Sequence, residues 1–440
     1  MNEKRRDSSA SRRQFLRTSA AMGAGLLLSE QLGWSAHAAG ADETLRVGLV
    51  GCGGRGRGAA VQALTADPKA KLVALADAFP DYVEQSVNLL TKDEKVGDRV
   101  TVDPEHRFAG FDAYKKLIDS GVDVVLLAAP PHFRPLHLKA CIEAGKHVFA
   151  EKPVAVDAPG IRSVLATCEQ ARQKNLSVVS GLMNRYNLAV QETMKRVHDG
   201  AIGEVVAIQT TWNGGPPWFR NKDREANWTE MMYQVRNWYP FTWLSGDHNV
   251  EQHVHSLDKA AWTLHDKTPQ LAWGTGGRQI RMKPAIGNIY DHHCVTYEFD
   301  DGVRVYSHCR RQANCANDVS DLILGTKGQC LLSKHRIDGQ TKWQFKGVNP
   351  LDFVAEHKAL FSSIRAGKPI NNGLYMAQST MWGILGRMVT YTGQKITWEE
   401  AMESKEDLSP ESYTWDAEPP IMPDKDGDYP IAIPGVTKFI

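Results

Sequence analysis

The sequence predicts an α/β protein whose N-terminal part is a doubly wound parallel sheet and whose remainder is a second, α+β domain. Three observations predict it. Apolar runs at residues 45–50, 71–76, 123–128 and 147–150 alternate with stretches of helical spacing, the pattern of strands buried on both faces of a parallel sheet. The first run leads straight into a glycine-rich turn and a helix. The chain has 440 residues, 42% of them hydrophobic, enough for two cores rather than one. The organising stretch is His147-Val148-Phe149-Ala150-Glu151-Lys152-Pro153, with a nucleotide-binding half before it and a substrate half after it. Taken alone it is a strand end with a salt-bridged Glu and Lys; the proline invites a rigid turn or a cis bond.

The expected domains are residues 1–38, 44–155 and 156–440. In the first, Ser11-Arg12-Arg13-Gln14-Phe15-Leu16 precedes a short apolar run from Ala20 to Leu28 and then Ala36-His37-Ala38. That pattern is a twin-arginine export signal, with an apolar run too short to span a membrane. Export by that route leads to the periplasm, and it often follows cytoplasmic loading of a cofactor. Without those 38 residues the chain has 46 basic and 48 acidic side chains, which excludes nucleic acid or an anionic membrane as an electrostatic partner and gives no stable membrane insertion. Seven scattered cysteines with no C-x-x-C pair argue against a disulfide framework and for small buried hydrophobes.

The turn after the first strand reads Gly51-Cys52-Gly53-Gly54-Arg55-Gly56. Its context, strand before and helix after, is the one a dinucleotide fingerprint requires. Gly51 permits the tight turn, Gly53 and Gly54 let backbone approach a pyrophosphate, and Gly56 allows close helix packing. The helix start then offers free N–H groups. Asp77 ends the second strand 21 residues after Gly56 and suits the adenosine ribose hydroxyls, which favours NAD. Arg55 and Arg57 leave NADP open, since either could pair a 2'-phosphate. Pro130 and His132 would emerge beyond the third strand, where ligands of such sheets bind; His132 lines the nicotinamide site or is a plain turn residue.

With the fingerprint, Pro130, His137, Ala144-Gly145-Lys146-His147-Val148 and Glu151-Lys152-Pro153 in order, the chain resembles the glucose-fructose oxidoreductase and inositol dehydrogenase (Gfo/Idh/MocA) family. The resemblance is strong over residues 44–190 and looser beyond. It implies a Rossmann nucleotide domain, an active-site role for Lys152, and a C-terminal domain built on an open, largely antiparallel sheet that holds sugar-like substrates and mediates dimers or tetramers.

In the substrate half, Arg185-Tyr186-Asn187 follows an apolar run, and similar stretches in that family border the substrate; Arg185 is equally an ion-pair partner. Between residues 212 and 243 lie Trp212, Trp218, Trp228, Trp238 and Trp243, interleaved with Asn213, Arg220, Asn227, Arg236 and Asn237. Indoles among amide and guanidinium donors suit a carbohydrate; the alternative is a surface insertion packed by its own aromatics. A single helix over 248–264 would set His248, Glu251, His255 and Asp258 on one face, lining a cleft, and Val250, Val254, Leu257 and Ala261 on the core side. This stretch resembles the family's second catalytic motif, with His255 and Asp258 in place, Glu251 where an Asp is usual and His253 where a small residue is usual. A zinc reading of His248, Glu251 and His255 matches no ligand spacing, so no metal is expected. Residues 294–299 and 303–309 read as a hairpin across Asp300-Asp301-Gly302, helices close the domain at about 353–366 and 376–392, and the tail after Ser409 reads as extended, wrapping a neighbouring subunit.

These readings converge on an NAD(P)-dependent oxidoreductase that moves hydride to or from a secondary alcohol of a sugar, polyol or glycoside. Lys152 and the Glu251/His255 face supply acid/base chemistry, Glu151 and Lys152 border the cofactor, and Arg185, Trp238 and Trp243 line the substrate site. An exported enzyme of this kind recycles a tightly held cofactor, either between two sugars or within a redox-neutral glycoside cleavage. A non-catalytic, cofactor-carrying sugar-binding protein is the alternative of another class.

Overall fold

The computed structural model describes residues 43–216, 222–280, 287–348 and 353–438. The expected signal at 1–38, with Trp218 and Arg220, lies outside them.

The first layer is built from β1 (Leu45–Val50), α1 (Gly54–Ala66), β2 (Ala70–Asp77), α2 (Pro80–Leu90), β3 (Arg107–Ala109), α3 (Ala113–Asp119), β4 (Val124–Leu127), α4 (Arg134–Glu143), β5 (His147–Ala150), α5 (Ala158–Gln173) and β6 (Val178–Ser180). Its six strands are parallel, in the order β3-β2-β1-β4-β5-β6. Strands β4 and β5 are buried at every position, the reason they read as unbroken apolar runs. The sheet does not end at the expected seam near residue 155, because β6 pairs with β5 beyond it. Helix α2 went unread in the sequence; its buried Val83, Val87 and Leu90 carry the period, and Pro80 opens its first turn.

After α6 (Leu188–His198) the chain enters β7 (Val205–Gly214), α7 (Glu230–Arg236), α8 (Thr242–Ser245), α9 (His248–Glu251), α10 (Val254–Thr263), β8 (Leu271–Gly277), β9 (His292–Glu298), β10 (Arg304–Arg311), β11 (Asp318–Gly325), β12 (Gly328–Leu331), β13 (Arg336–Gly339), β14 (Trp343–Gln344), α11 (Val354–Arg365), α12 (Gly373–Thr392), β15 (Ile396–Thr397) and α13 (Trp398–Glu403). The second sheet has nine strands in the order β14-β13-β12-β11-β7-β10-β9-β8-β15. It is antiparallel except for the β7/β10 pair, and β9/β10 is the expected hairpin. One face buries Ile208, Val295, Tyr297, Val305, Cys309 and Ile323; across it Gln209, Tyr306 and Cys294 stay exposed. The expected helix over 248–264 is two helices with a break at Gln252 and His253. The Val250, Val254, Leu257 and Ala261 stripe is nonetheless fully inside, each at most 1% exposed.

The tail after Ser409 is extended but packs on its own chain, where an intersubunit arm was expected. Trp415 stacks on Phe79 (centroids 4.9 Å apart) and lies 4.3 Å from Phe111, and Tyr413 donates to or accepts from His132 at 2.9 Å. All seven cysteines are free, with Cys294 and Cys315 exposed and the others buried. Among the described residues no helix is long and apolar enough to cross a membrane.

Candidate active site

A cleft of about 580 Å³ opens beyond the carboxyl ends of β1, β2, β4 and β5 and is lined by Gly51, Asp77, Pro130, Lys152, Glu251 and others. This is where doubly wound sheets take their ligands. Gly51 has φ +97°, and a Cβ there would stand 2.3 Å from the Ala129 nitrogen. A Cβ on Gly56 would stand 1.8 Å from the Gly51 oxygen, whereas around Gly53 and Gly54 nothing lies within 4 Å. The loop is therefore closed against the protein on one side and open to the cleft on the other. Helix α1 starts there with no side-chain cap on its N–H groups, a cradle that fits the pyrophosphate of a dinucleotide.

Asp77 lines the cleft at the end of β2. Its Oδ2 accepts the Cys52 N–H (2.7 Å) and its Oδ1 the Phe79 N–H (3.0 Å), leaving lone pairs for ribose hydroxyls. Burial pushes its carboxyl up to about 6, against the pull of those two bonds. Asp77 is thus an acceptor above that pH and a neutral acid below it, so the NAD dissociation constant should rise as pH falls from 7.5 to 5. Asp77→Asn should bind weakly with a flat profile; titration of nucleotide-free protein measures both, and an equally steep profile in the variant would sink the assignment. Arg55 donates to Glu151 Oε1 and to Gln62 (2.8 Å), and Arg57 to the Cys52 carbonyl (3.0 Å). Arg55 is thereby committed to the β5 end of the cleft, away from any 2'-phosphate.

At that end Lys152 Nζ donates to both the Glu251 carbonyl (2.8 Å) and Glu251 Oε1 (3.0 Å). The two side chains are 14% and 10% exposed, and the Lys152-Pro153 bond is cis. Residues 99 apart in sequence are joined because β5 delivers Lys152 to the cleft while the break after α9 turns Glu251 toward it. His255, the second residue of α10, stacks on Trp212 (6.0 Å). Burial, reinforced by the charges of Lys152, Lys259 and Arg55, holds it well below its ordinary pKa, so it is a neutral imidazole. Arg134, which the sequence reading missed, donates to the carbonyls of Glu151 (2.9 Å) and Ala129 (2.7 Å) and keeps a buried Nη1 with no partner. It ties the ends of β4 and β5 beneath the cleft; an arginine opening a helix with no acid near it in sequence was the available signal.

Other expected site residues are placed elsewhere. Arg185 is clamped by Asp258 (2.8 Å) and Asp266 (3.1 Å) between the rings of Trp262 and Tyr375. Asp258 also accepts the Ser379 hydroxyl (2.9 Å), and both members of the pair are enclosed, at 9% and 1% exposed. Two carboxylates on one buried guanidinium satisfy each other, so Arg185 and Asp258 hold α10 in place and do not line the cleft. Tyr186 donates to Asn372 (2.7 Å) and Asn187 caps α6. Trp243 is a core residue bonded to Gln234 (2.7 Å), and His132 sits behind the rim, its pKa taken down to about 4 by burial. His248 does not share a polar face with Glu251 but is enclosed beside Asp247. The Trp-rich segment packs on the nucleotide half: Arg236 pairs Asp81 (2.9 Å) over the Phe79 ring (3.9 Å), and Trp238 alone of its described tryptophans lines the cleft.

Residues 45–179 match the family described as "Oxidoreductase family, NAD-binding Rossmann fold". The chain is 32% identical over 291 residues to inositol 2-dehydrogenase 1 of Saccharopolyspora erythraea, covering 66% of this chain and 74% of that protein. It is 30% identical over 231 residues to 2,7-anhydro-N-acetylneuraminate hydratase of Escherichia coli, covering 50% of this chain and 56% of that one, so it spans little more than half of that relative. Among solved structures, myo-inositol 2-dehydrogenase from Lactobacillus plantarum superposes with a TM-score of 0.62 at 20% identity, over 81% of this chain and 99% of that one.

Proposed function

This chain belongs to the Gfo/Idh/MocA family of NAD-binding oxidoreductases, and on that premise we propose that it oxidises or reduces a secondary alcohol of a sugar, polyol or glycoside at the Lys152/Glu251 end of the cleft. The observation that carries the reading is the Lys152 ammonium held by two Glu251 oxygens in a cleft whose other wall is the glycine cradle.

Nicotinamide, when bound, supplies the hydride acceptor or donor. The chain's own residues do the rest. An ammonium has three donors; two are engaged by Glu251, and the third is available to the substrate oxygen, where it stabilises charge that develops as the hydroxyl loses its proton. The neutral His255 imidazole can take that proton, as can Lys152 passing one to Glu251. Arg55 and Arg134, fixed on Glu151, keep the β5 end of the cleft rigid.

We read residues 1–38 as a twin-arginine signal and the mature enzyme as periplasmic, which favours a nucleotide that stays bound through turnover. The enzyme purified from cells should therefore carry NAD, and inositols, aldoses or methyl glycosides should change absorbance at the nicotinamide band. Binding of those sugars with no change at that band would instead mark a sugar-binding protein. A redox-neutral cleavage of a glycoside is the second reading, supported by the likeness to a hydratase; it would release aglycone with the band returning to its starting value. The open face of the second sheet, with Tyr306 at 40% exposed, suits a homodimer or homotetramer, and light scattering should return that mass.

A further inference from the structure

We propose that Asp247, His248 and His293 bind one divalent transition-metal ion, with zinc the ion their donors fit. The three side chains are each at most 2% exposed, their ligand atoms lie within 4.8 Å of one another, and no other such group occurs among the described residues. The set differs from the His248, Glu251 and His255 combination that the sequence suggested and set aside.

Both imidazoles approach the same oxygen. His248 Nδ1 is 2.8 Å and His293 Nε2 is 3.2 Å from Asp247 Oδ1, yet neither nitrogen has a hydrogen-bond partner. The tautomer of His293 follows from its other nitrogen. Its Nδ1 lies 2.9 Å from Thr390 Oγ1, and the single proton of that hydroxyl is directed at the carbonyls of Gly386 (2.9 Å) and Arg387 (3.0 Å). The ring must therefore donate to Thr390, which leaves a lone pair on Nε2 facing a carboxylate oxygen. Two lone pairs at that separation repel unless a cation lies between them: either an added proton or a metal. The separations approach the edge of about 3.3 Å that a tetrahedron with bonds of about 2.0 Å requires.

The surroundings are those of a ligand set. Asp247 Oδ2 accepts the Tyr391 hydroxyl (2.6 Å) and the Tyr290 N–H (2.9 Å), so the carboxylate is oriented from behind with Oδ1 turned to the imidazoles, as outer hydrogen bonds orient metal ligands. Asp247 itself stands at φ 80°, ψ 160°, a conformation almost confined to glycine, and such strain is retained where a site requires it. Three protein donors leave one position of a tetrahedron for water. The ion would fasten the start of α9 to β9, and α9 ends on Glu251, the partner of Lys152. It acts on the active site by positioning and takes no part in turnover.

The test is metal analysis of untagged, full-length protein from zinc-supplemented cells. About one zinc per chain is expected, with His293→Gln and His248→Gln falling below about a tenth. Chelator treatment should lower the melting temperature of the wild type, and added zinc should restore it. Should the variants fail to fold, cobalt exchanged into the wild type should show the visible bands of a tetrahedral site. Folded wild type with less than about a tenth of an equivalent of any transition metal and no zinc-induced rise in melting temperature would overturn the proposal and leave a shared proton in the ion's place.

Discussion

Lys152→Met lowers kcat/KM by about a thousandfold or more while the nucleotide stays bound, the range expected when a positioned acid/base and charge-stabilising group is lost. Methionine keeps an unbranched side chain, one atom shorter, and removes the charge and the donors. The nucleotide cradle is formed by other residues, so copurified NAD should be unchanged. Lys152→Arg should fail nearly as badly, because a guanidinium cannot repeat the 2.8 and 3.0 Å contacts to Glu251 and still offer a donor to substrate in the same direction. Steady-state rates with the best sugar, set beside the nucleotide content of each preparation, decide it. Turnover within about threefold of wild type would remove Lys152 from the chemistry.

The second large effect is at the glycine loop, where two neighbouring glycines should answer differently. In Gly56→Ala the added carbon would stand 1.8 Å from the Gly51 oxygen, so the loop must open; a loss of about 1–3 kcal/mol of stability is the usual cost of such overpacking, and the cradle is lost with it. In Gly54→Ala no atom lies within 4 Å of the new carbon. That variant should melt with the wild type yet bind NAD weakly, because the methyl occupies the space the phosphates need. Thermal denaturation of nucleotide-free protein and NAD titration separate the two. Equal melting temperatures for wild type and Gly56→Ala would show that the loop has room it does not display.

The nucleotide half was legible because its signals are local. Strand, glycines, helix and Asp77 lie within one short stretch, and Gly51 and Gly56 each have a backbone reason to be there. Lys152 and Glu251 were legible by motif, though their contact depends on a break at Gln252 and His253 that helical spacing does not announce. What misled was polarity. Asp258 and His248 read as cleft residues because polar side chains on a helix usually face water, and Arg185 by resemblance, with an ion pair as its alternative. Here Arg185 is buried with Asp258 and Asp266, and His248 beside its neighbour Asp247 and the distant His293. Trp243 was read from the amide and guanidinium donors around it and His132 from its place beyond a strand end, whereas their burial is decided by contacts with Gln234 and Tyr413. Strands β12 to β14 gave no signal of their own, being short and set by pairing with neighbours.

The packing of Trp415 and Tyr413 on Phe79, Phe111 and Phe133 bears on whether the nucleotide half is a portable part. Its outer aromatic wall is completed by side chains more than 280 positions away, as the His132 to Tyr413 contact measures. A fragment ending near residue 180 would hold all six parallel strands and still expose those three rings to water. Such long-range closure makes for slow, late consolidation of the fold. Grafting this half onto another substrate domain would therefore mean carrying the distant tail along with it.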